Sequence, residues 1–432
     1  MIENQPSVAP SSCTVPTALF YPEAADDTAL IGLPTLMEMA FRGLDLNPQR
    51  QRLLDRLRRD PNDANAMLDL SSVMFLMNQD DLGCSLQREA LSISRHYTLP
   101  ARGTPRLRLL TLMTPGRLMA NIPLEFLLSG SNVTLEMLYL DPDAPALWTE
   151  LPPHDVACVG VCVSPATKGM LQALAGASNT LPHATLNDPN RVLALARETV
   201  WQTLREVPGC TMPPSRTIDR AALNELAGQQ VSLDQVLPGA AFPIICRPNG
   251  SHAGQGLAKL TGPADLAAYL SSESADEFVI SPFVDYVSAD GQYRKYRIAF
   301  IGGKAFPVHM AASARWMVHY LNGDMLDRPD NRAEECRFFD EFTAGFGQRH
   351  ASALAAIDDR LGLDYVSIDC GETQDGRLLV FECDTGGVAH AMDPLQDFGY
   401  KRPHMLALFA AFQDLLARAA QDRRQLKPWI LQ

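Results

Sequence analysis

The chain has no run of about 18 apolar residues, so neither a membrane-spanning helix nor a membrane partner is expected. It has no cluster of lysine and arginine to offset a formal charge of −13 over 432 residues. Such a chain repels nucleic acid unless a basic patch is segregated, which sets nucleic acid aside as a partner. Its nine cysteines (Cys13, Cys84, Cys158, Cys162, Cys210, Cys246, Cys336, Cys370 and Cys383) include no CxxC pair. That excludes the paired-thiol spacing of a structural zinc site. Several of them, such as Cys158 and Cys162, sit in apolar strand patterns and read as buried, reduced thiols. The opening Met-Ile-Glu-Asn-Gln-Pro lacks the basic and continuously apolar segments of a secretory signal. The expected location is the cytoplasm.

What is present is a chain 46% apolar and 20% charged, able to bury a sizeable core. Its length suggests about two to four structural units. Residues 1–105 read as an N-terminal arm and a helical region. The arm, about 1–28, is rich in Pro, Ser, Thr and Ala. Helices are predicted at 50–59, 64–78 and 82–96, the second after the Pro61-Asn62-Asp63 cap signal. Residues 60–91 resemble one tetratricopeptide unit, which makes this region a candidate surface for a protein partner.

Residues 106–214 alternate strands with helices and predict a parallel α/β lobe. Strands are expected at 107–113, 133–140 and 156–163, the last buried on both faces, with helices at 123–129, 167–176 and 190–204. Residues 215–283 form a smaller lobe built around a strand at 242–247 and a glycine loop. Residues 284–432 contain two hairpins: 293–301 turning at Gly302-Gly303 into 304–310, and 365–370 returning through Asp375-Gly376 into 378–384. A final amphipathic helix spans 403–420.

Three features carry chemistry. In Leu378-Leu-Val-Phe-Glu-Cys-Asp384, period-two alternation places Leu379, Phe381 and Cys383 on one face and Val380, Glu382 and Asp384 on the other. Asp369 lies across the hairpin, so three carboxylates can converge. A hard divalent cation such as magnesium resolves their repulsion; a solvated acidic strand end is the alternative. The second feature is Arg247-Pro-Asn-Gly250-Ser251-His252-Ala-Gly254-Gln-Gly256, in which a buried strand delivers a cation to a loop of three glycines. Backbone N–H groups there can approach phosphate oxygens closely, and the guanidinium can pair with them bidentately. The loop is neither a Walker A motif nor a dinucleotide fingerprint. Third, Lys295 and Arg297 share one strand face, and the next stretch gathers His309, Arg315, His319, Asn322 and Asp324 with Trp316 and Tyr320. Two cations opposite a carboxylate cluster suit a metal-bridged triphosphate.

The ordered set resembles the ATP-grasp superfamily, whose members include glutathione synthetase, D-alanine–D-alanine ligase and the ribosomal-protein glutamate ligases. It consists of Asn187-Asp-Pro189 before a helix, Arg247 with its glycine loop, Ser281-Pro-Phe-Val284 at the hinge, Arg297, Asp369 and Glu382-Cys-Asp384. The resemblance covers about 106–400. It implies an α/β chain of ATP-grasp fold, with a parallel α/β lobe and two α+β lobes gripping ATP, preceded by a small helical domain.

The resemblance further implies roles. Arg247, Gly250, Ser251, His252, Gly254, Gly256, Phe283 and Lys295 would bind ATP, with the backbone near Phe283 meeting adenine. Arg297 would touch the transferred phosphate, and Asp369, Glu382 and Asp384 would hold magnesium. Arg315 is assigned to a substrate carboxylate. Arg247 stands where the family has lysine, Asp384 where it has asparagine, and Arg197 is the nearest cation to a second family lysine that is missing. The implied activity is an ADP-forming ligase that activates a carboxylate as an acyl phosphate for attack by an amine. The substrates would be small molecules or peptides, and a homodimer is compatible with this. A nucleotide-responsive scaffold with weakened catalysis is the alternative; a kinase with a hydroxyl acceptor is a third reading.

Overall fold

A computed structural model describes residues 19–21, 26–141, 143, 151–177, 184–251, 254–319, 323 and 325–421. Most of the N-terminal arm, Cys13, His252, Tyr320, Asn322 and Asp324 lie outside the described residues. Among these residues the chain is a mixed α/β molecule with three sheets and a group of N-terminal helices.

Helices Leu33–Phe41, Asn47–Arg59, Ala64–Leu76 and Asp80–Ile93 come first. The Asp63 side chain caps the third by accepting from Ala66 N–H. Its Ala66, Leu70, Val73 and Met74 pack against Leu36 and Leu53 of the first two helices. Leu68, Ala90 and Leu91 join the core beneath the neighbouring sheet, so the helical group and that sheet share one apolar interior.

The helix predicted to reach residue 96 stops at Ile93, and the chain continues as strand β1, His96–Leu99. Tyr97 is buried there, its hydroxyl donating to Ala90 O at 3.0 Å. Strands β2 (Leu107–Met113), β3 (Val133–Tyr139), β4 (Val156–Val159) and β5 (Ala184–Leu186) complete a first sheet in the order β1-β3-β2-β4-β5. All its pairings are parallel except that of β1, an antiparallel edge. The continuous apolar run of β4 matches its burial on both faces. The single helix predicted over 190–204 is two, Pro189–Leu193 and Arg197–Leu204. The break sends the second one toward the third sheet.

Strand β6 (Cys210–Thr211) belongs to that third sheet, and β7 (Arg216–Asp219) opens the second. With β8 (Ile244–Pro248), β9 (Ala258–Leu260) and β10 (Glu277–Pro282), it forms an antiparallel sheet ordered β7-β10-β8-β9 over its own core. The third sheet holds β11 (Tyr293–Ile301), β12 (Lys304–Ser313), β13 (Tyr365–Glu372) and β14 (Leu378–Asp384), ordered β12-β11-β13-β14-β6. Both predicted hairpins are present, and β11 pairs with β13 to make them one sheet. Helix Lys401–Gln421 packs Met405, Leu408, Phe409 and Phe412 into the core shared with the first sheet.

Asn187 joins the first and third sheets. It has a positive φ of 60°, a conformation asparagine tolerates better than most residues. Fully buried, it donates from its main chain to Asp364 Oδ2 and from Nδ2 to Tyr365 O, at 3.0 and 2.9 Å. Its Oδ1 accepts from the N–H groups of Asp364 and Tyr365, both at 3.0 Å. Asn187→Ala leaves those buried groups unpaired, so we expect a loss of about 2–4 kcal/mol in unfolding free energy. Urea denaturation checks this; an unchanged midpoint would show that the bonds add nothing net.

Candidate functional site

The pairing of β11 with β13 sets a row of functional side chains across four strands. His309 stands opposite Arg297, Arg297 opposite Asp369, and Asp369 opposite Glu382. Directly opposed residues share a sheet face, so the row is continuous. Lys295 joins it two residues before Arg297. Asp384 joins it two residues after Glu382, opposite Ser367.

The alternation read from sequence fails at one point. A bulge shifts the register between Asp369 and Cys370, placing Glu382 opposite Asp369 but Val380 opposite Cys370. Phe381 is the extra residue. Val380 therefore turns into the core with Leu378 and Cys383, while Glu382 and Asp384 keep the face expected of them.

On this face the carboxylates are already paired with cations. Asp369, 3% exposed, accepts from Arg297 Nε and Nη2 at 2.7 and 3.0 Å. Lys295 Nζ lies 2.6 Å from its Oδ2. Burial pushes the Asp369 carboxyl up, but the charges of Arg297 and Lys295 outweigh it and hold the group well below the usual carboxylate range. Glu382 is ion-paired with Arg197 Nη2. Burial raises the Glu382 carboxyl, yet Arg197 and the other cations bring it below its ordinary value. Asp384 accepts from Gly386 N–H at 2.9 Å. Among the described residues, no group of three acidic, histidine or cysteine side chains is spaced to hold a metal ion. Asp369, Glu382 and Asp384 carry oxygens of the kind magnesium takes, but they are not spaced as a metal site here, and protein cations already balance Asp369 and Glu382.

Arg247 faces this row from the second sheet. It is 9% exposed, donates from Nε to Ser251 Oγ at 3.0 Å and from Nη2 to Ser251 O, and so ties the glycine loop to its own strand. Burial, then the nearby Arg197 charge, lowers its guanidinium to about 10, with Glu382 opposing. Gly250, Gly254 and Gly256 all have positive φ. A Cβ on Gly256 would stand 2.6 Å from Pro248 Cδ. Gly250 approaches Pro165, in the loop after β4. That loop leaves the carboxyl end of a parallel strand, the usual edge for ligand binding in such sheets. His252 lies outside the described residues.

Phe283 comes directly after β10, its N–H donating to Pro243 O at 3.0 Å. Its ring meets Trp316 edge-on at 5.7 Å, and Lys259 Nζ sits 3.6 Å from the ring centre. Next to the row is a cavity of about 180 Å³, lined by Lys295, Arg297, His309, His319, Asp369, His390 and Lys401 among others. Buried acids fix its wall. Glu335 accepts from Tyr400 Oη at 2.6 Å and pairs with His309 Nδ1 at 2.8 Å; Asp393 holds Lys401 at 2.7 Å. Arg315 is exposed and does not line this cavity.

The structure therefore brings Lys295, Arg297, Asp369, Glu382 and Asp384 onto one face, with Arg247 and its loop nearby. Sequence reasoning named Arg197 only as the nearest cation and missed Lys259, Glu335, His390, Asp393, Lys401 and the Gly386-Gly387 pair. A Cβ on Gly387 would fall 2.1 Å from Ser367 Oγ, so glycine lets the backbone pass that close to the row. The Thr-Gly-Gly after Asp384 was the one signal available for any of these.

No family model and no curated protein matches the chain. Among solved structures, it is similar to D-alanine–D-alanine ligase from Bacillus anthracis complexed with ATP, at 13% identity and a TM-score of 0.43, covering 74% of this chain and 100% of that one. It is also similar to the RimK domain ATP-grasp protein from Sphaerobacter thermophilus, at 14% identity and a TM-score of 0.41, covering 72% and 99%. For the D-alanine–D-alanine ligase from Coxiella burnetii the values are 10%, 0.44, 74% and 98%. Likeness at this level leaves the chemistry to be judged from the site.

Burial lowers the His390 imidazole to about 4, so the ring is neutral in the folded protein at pH 7. The unfolded chain takes up a proton near 6.5 that the folded one refuses until about 4. The stability this neutral ring carries is present above 6.5 and is lost as pH falls to about 4. The loss is expected to be about 3 kcal/mol at most, and His390→Gln should remove it. Urea unfolding across that pH range tests this; equal slopes in both proteins would assign the proton uptake to other groups.

Proposed function

We propose that this chain is an ATP-dependent ligase of the ATP-grasp kind, which phosphorylates a carboxylate and passes the acyl group to an amine, with release of ADP and phosphate. The observation that carries the reading is the row His309–Arg297–Asp369–Glu382, with Asp384 beside it and the Arg247 glycine loop facing it. Phosphoryl transfer asks a protein mainly for charge neutralisation and positioning, and this face has little else.

In this reading the loop 250–256 covers the β- and γ-phosphates while Arg247 and Arg197 pair with their oxygens. Adenine lies near Phe283 and Trp316. Magnesium, which neutralises phosphate charge when bound, would be held by Asp369, Glu382 and Asp384 only after Asp369 and Glu382 turned from the cations they now meet. Arg297 and Lys295 meet the transferred phosphoryl group and stabilise the acyl phosphate. Arg315, exposed on the loop after β12, meets the substrate carboxylate from the solvent side. The eight described cysteines are free and six are buried, which fits a reducing cytoplasm.

A second reading, a nucleotide-responsive scaffold, is favoured by the cations already on Asp369 and Glu382. ADP release from ATP and magnesium, assayed over a panel of carboxylates and amines, separates the two. Turnover that requires both substrates supports the ligase; nucleotide binding without turnover on any pair supports the scaffold. In the ligase, Glu382→Gln should lower turnover by about two orders of magnitude, as loss of one key electrostatic group does. Near-normal ADP production by that folded variant would sink its assignment. Arg315→Ala should raise the apparent KM for the carboxylate while ATP affinity stays within about three-fold; collapse of ATP binding would overturn its role.

A further inference from the structure

One wall of the cavity beside Lys295 and Arg297 is made by neither a strand nor a helix. Residues 385–392 lie between β14 and the next helix, and Val388 and His390 of this segment line the cavity. Backbone without a ladder has to be held from outside, and part of the hold comes from the N-terminal helical group. Phe41, the last residue of helix Leu33–Phe41, sets its ring edge-on to the His390 ring, with centroids 5.4 Å apart. Tyr21, 3% exposed, accepts at Oη from Ala391 N–H at 3.2 Å. Glu38 of the same helix pins Tyr21 in turn: fully buried, its carboxylate accepts from the N–H groups of Phe20 and Tyr21 at 2.9 and 2.8 Å. Val388 and Phe41 pack against the one apolar cluster that contains Tyr21. His390 is also fixed in its tautomer. Its Nδ1 accepts from Met392 N–H at 3.2 Å, so the neutral ring carries its proton on Nε2. A helical group built only to meet a partner protein has no need of these contacts.

We propose that the N-terminal helical group is the back wall of this cavity, with Tyr21 and Phe41 as positioning residues that hold His390 in place and so set which substrate the cavity admits. The wall stands on the contacts above; only its effect on substrate choice rests on the ligase reading. A cavity wall shapes what binds without touching the nucleotide, so its loss should be felt by the substrate and not by ADP.

The test uses the full-length chain and reads His390 by nuclear magnetic resonance, its signals assigned by their loss in His390→Gln. Proton–nitrogen correlations report which ring nitrogen carries the proton, and a pH series reports where the ring charges. In the unaltered protein the ring should stay neutral, protonated on Nε2, from about pH 8 down to about 5. Burial holds it at about 4; Asp393 opposes that, while Lys401, His309 and Arg297 reinforce it. Phe41→Ala and Tyr21→Phe let water reach the ring, so its protonation should move up by about one pH unit or more. Tyr21→Phe removes only a hydroxyl and serves if Phe41→Ala fails to fold. In both, the apparent KM for the carboxylate or the amine should rise at least about fivefold while ADP affinity stays within about threefold. Leu53→Ala, in the helical group but outside the Tyr21 cluster, should lower the melting temperature and leave the His390 titration unmoved. An unmoved titration in the folded wall variants, or the same movement in Leu53→Ala, would overturn the wall and leave the ligase reading standing. A moved titration with unchanged KM values would overturn the effect on substrate choice. Absence of turnover by the unaltered protein on every substrate pair would overturn the ligase reading and that effect with it, the wall being decided by the His390 titration.

Discussion

The ion pair between Arg297 and Asp369 is the constraint around which the third sheet is arranged. Its two residues sit opposite each other on β11 and β13, joined by two hydrogen bonds of 2.7 and 3.0 Å, with Asp369 almost inaccessible to water. A buried pair is expensive to desolvate and costly to break, so it is weak evidence for stability and stronger evidence for a site. It also fixes register. A one-residue slip of β13 would carry Asp369 into the apolar face with Ile368 and Cys370 and leave Arg297 without its partner.

A polar wall extends from that pair. Glu335 orients His309, Tyr400 and Lys401 approach Glu335, and Asp393 holds Lys401. These groups lie under helix Lys401–Gln421, whose apolar face packs into the core shared with the first sheet. The site is thus coupled to the packing of the whole molecule through a buried network of hydrogen bonds and ion pairs.

Sequence patterns revealed the hairpins and the chemistry but not their assembly. The Asp375-Gly376 and Gly302-Gly303 turns are local signals, and both hairpins form where those dipeptides place them. The β11–β13 pairing joins residues 72 positions apart at Arg297 and Asp369, and no local rule specifies it. The bulge at Phe381 was equally hidden. Strict alternation grouped Val380 with Glu382, and the extra residue separates them while preserving the pairing of Glu382 with Asp384. Arg197 lies 185 positions from Glu382, so its arrival at the site depends on the break between two short helices that periodicity merged into one. His390 follows the Glu382-Cys-Asp384 motif closely, yet no local rule turns it to the cavity, and Lys401 reaches the cavity from the start of the closing helix.

The arginine at position 247 holds its loop through a planar fork that a lysine lacks. Its fork reaches the Ser251 hydroxyl and the Ser251 carbonyl at once, closing the glycine loop on its own strand. A lysine has three donors on one nitrogen and no fixed plane, so it would hold the two oxygens with less directional constraint. A phosphate that met Arg247 on the Nε–Nη2 edge would have to displace Ser251 from it. The residues on both sides of the site therefore share one property: each cation that could bind phosphate is already engaged, Arg247 by the loop, Arg197 by Glu382, and Lys295 and Arg297 by Asp369. An unliganded face with exposed, unpaired guanidinium groups would attract any cellular anion. Internal partners take the place of that general attraction, and any anion that enters has to compete with them.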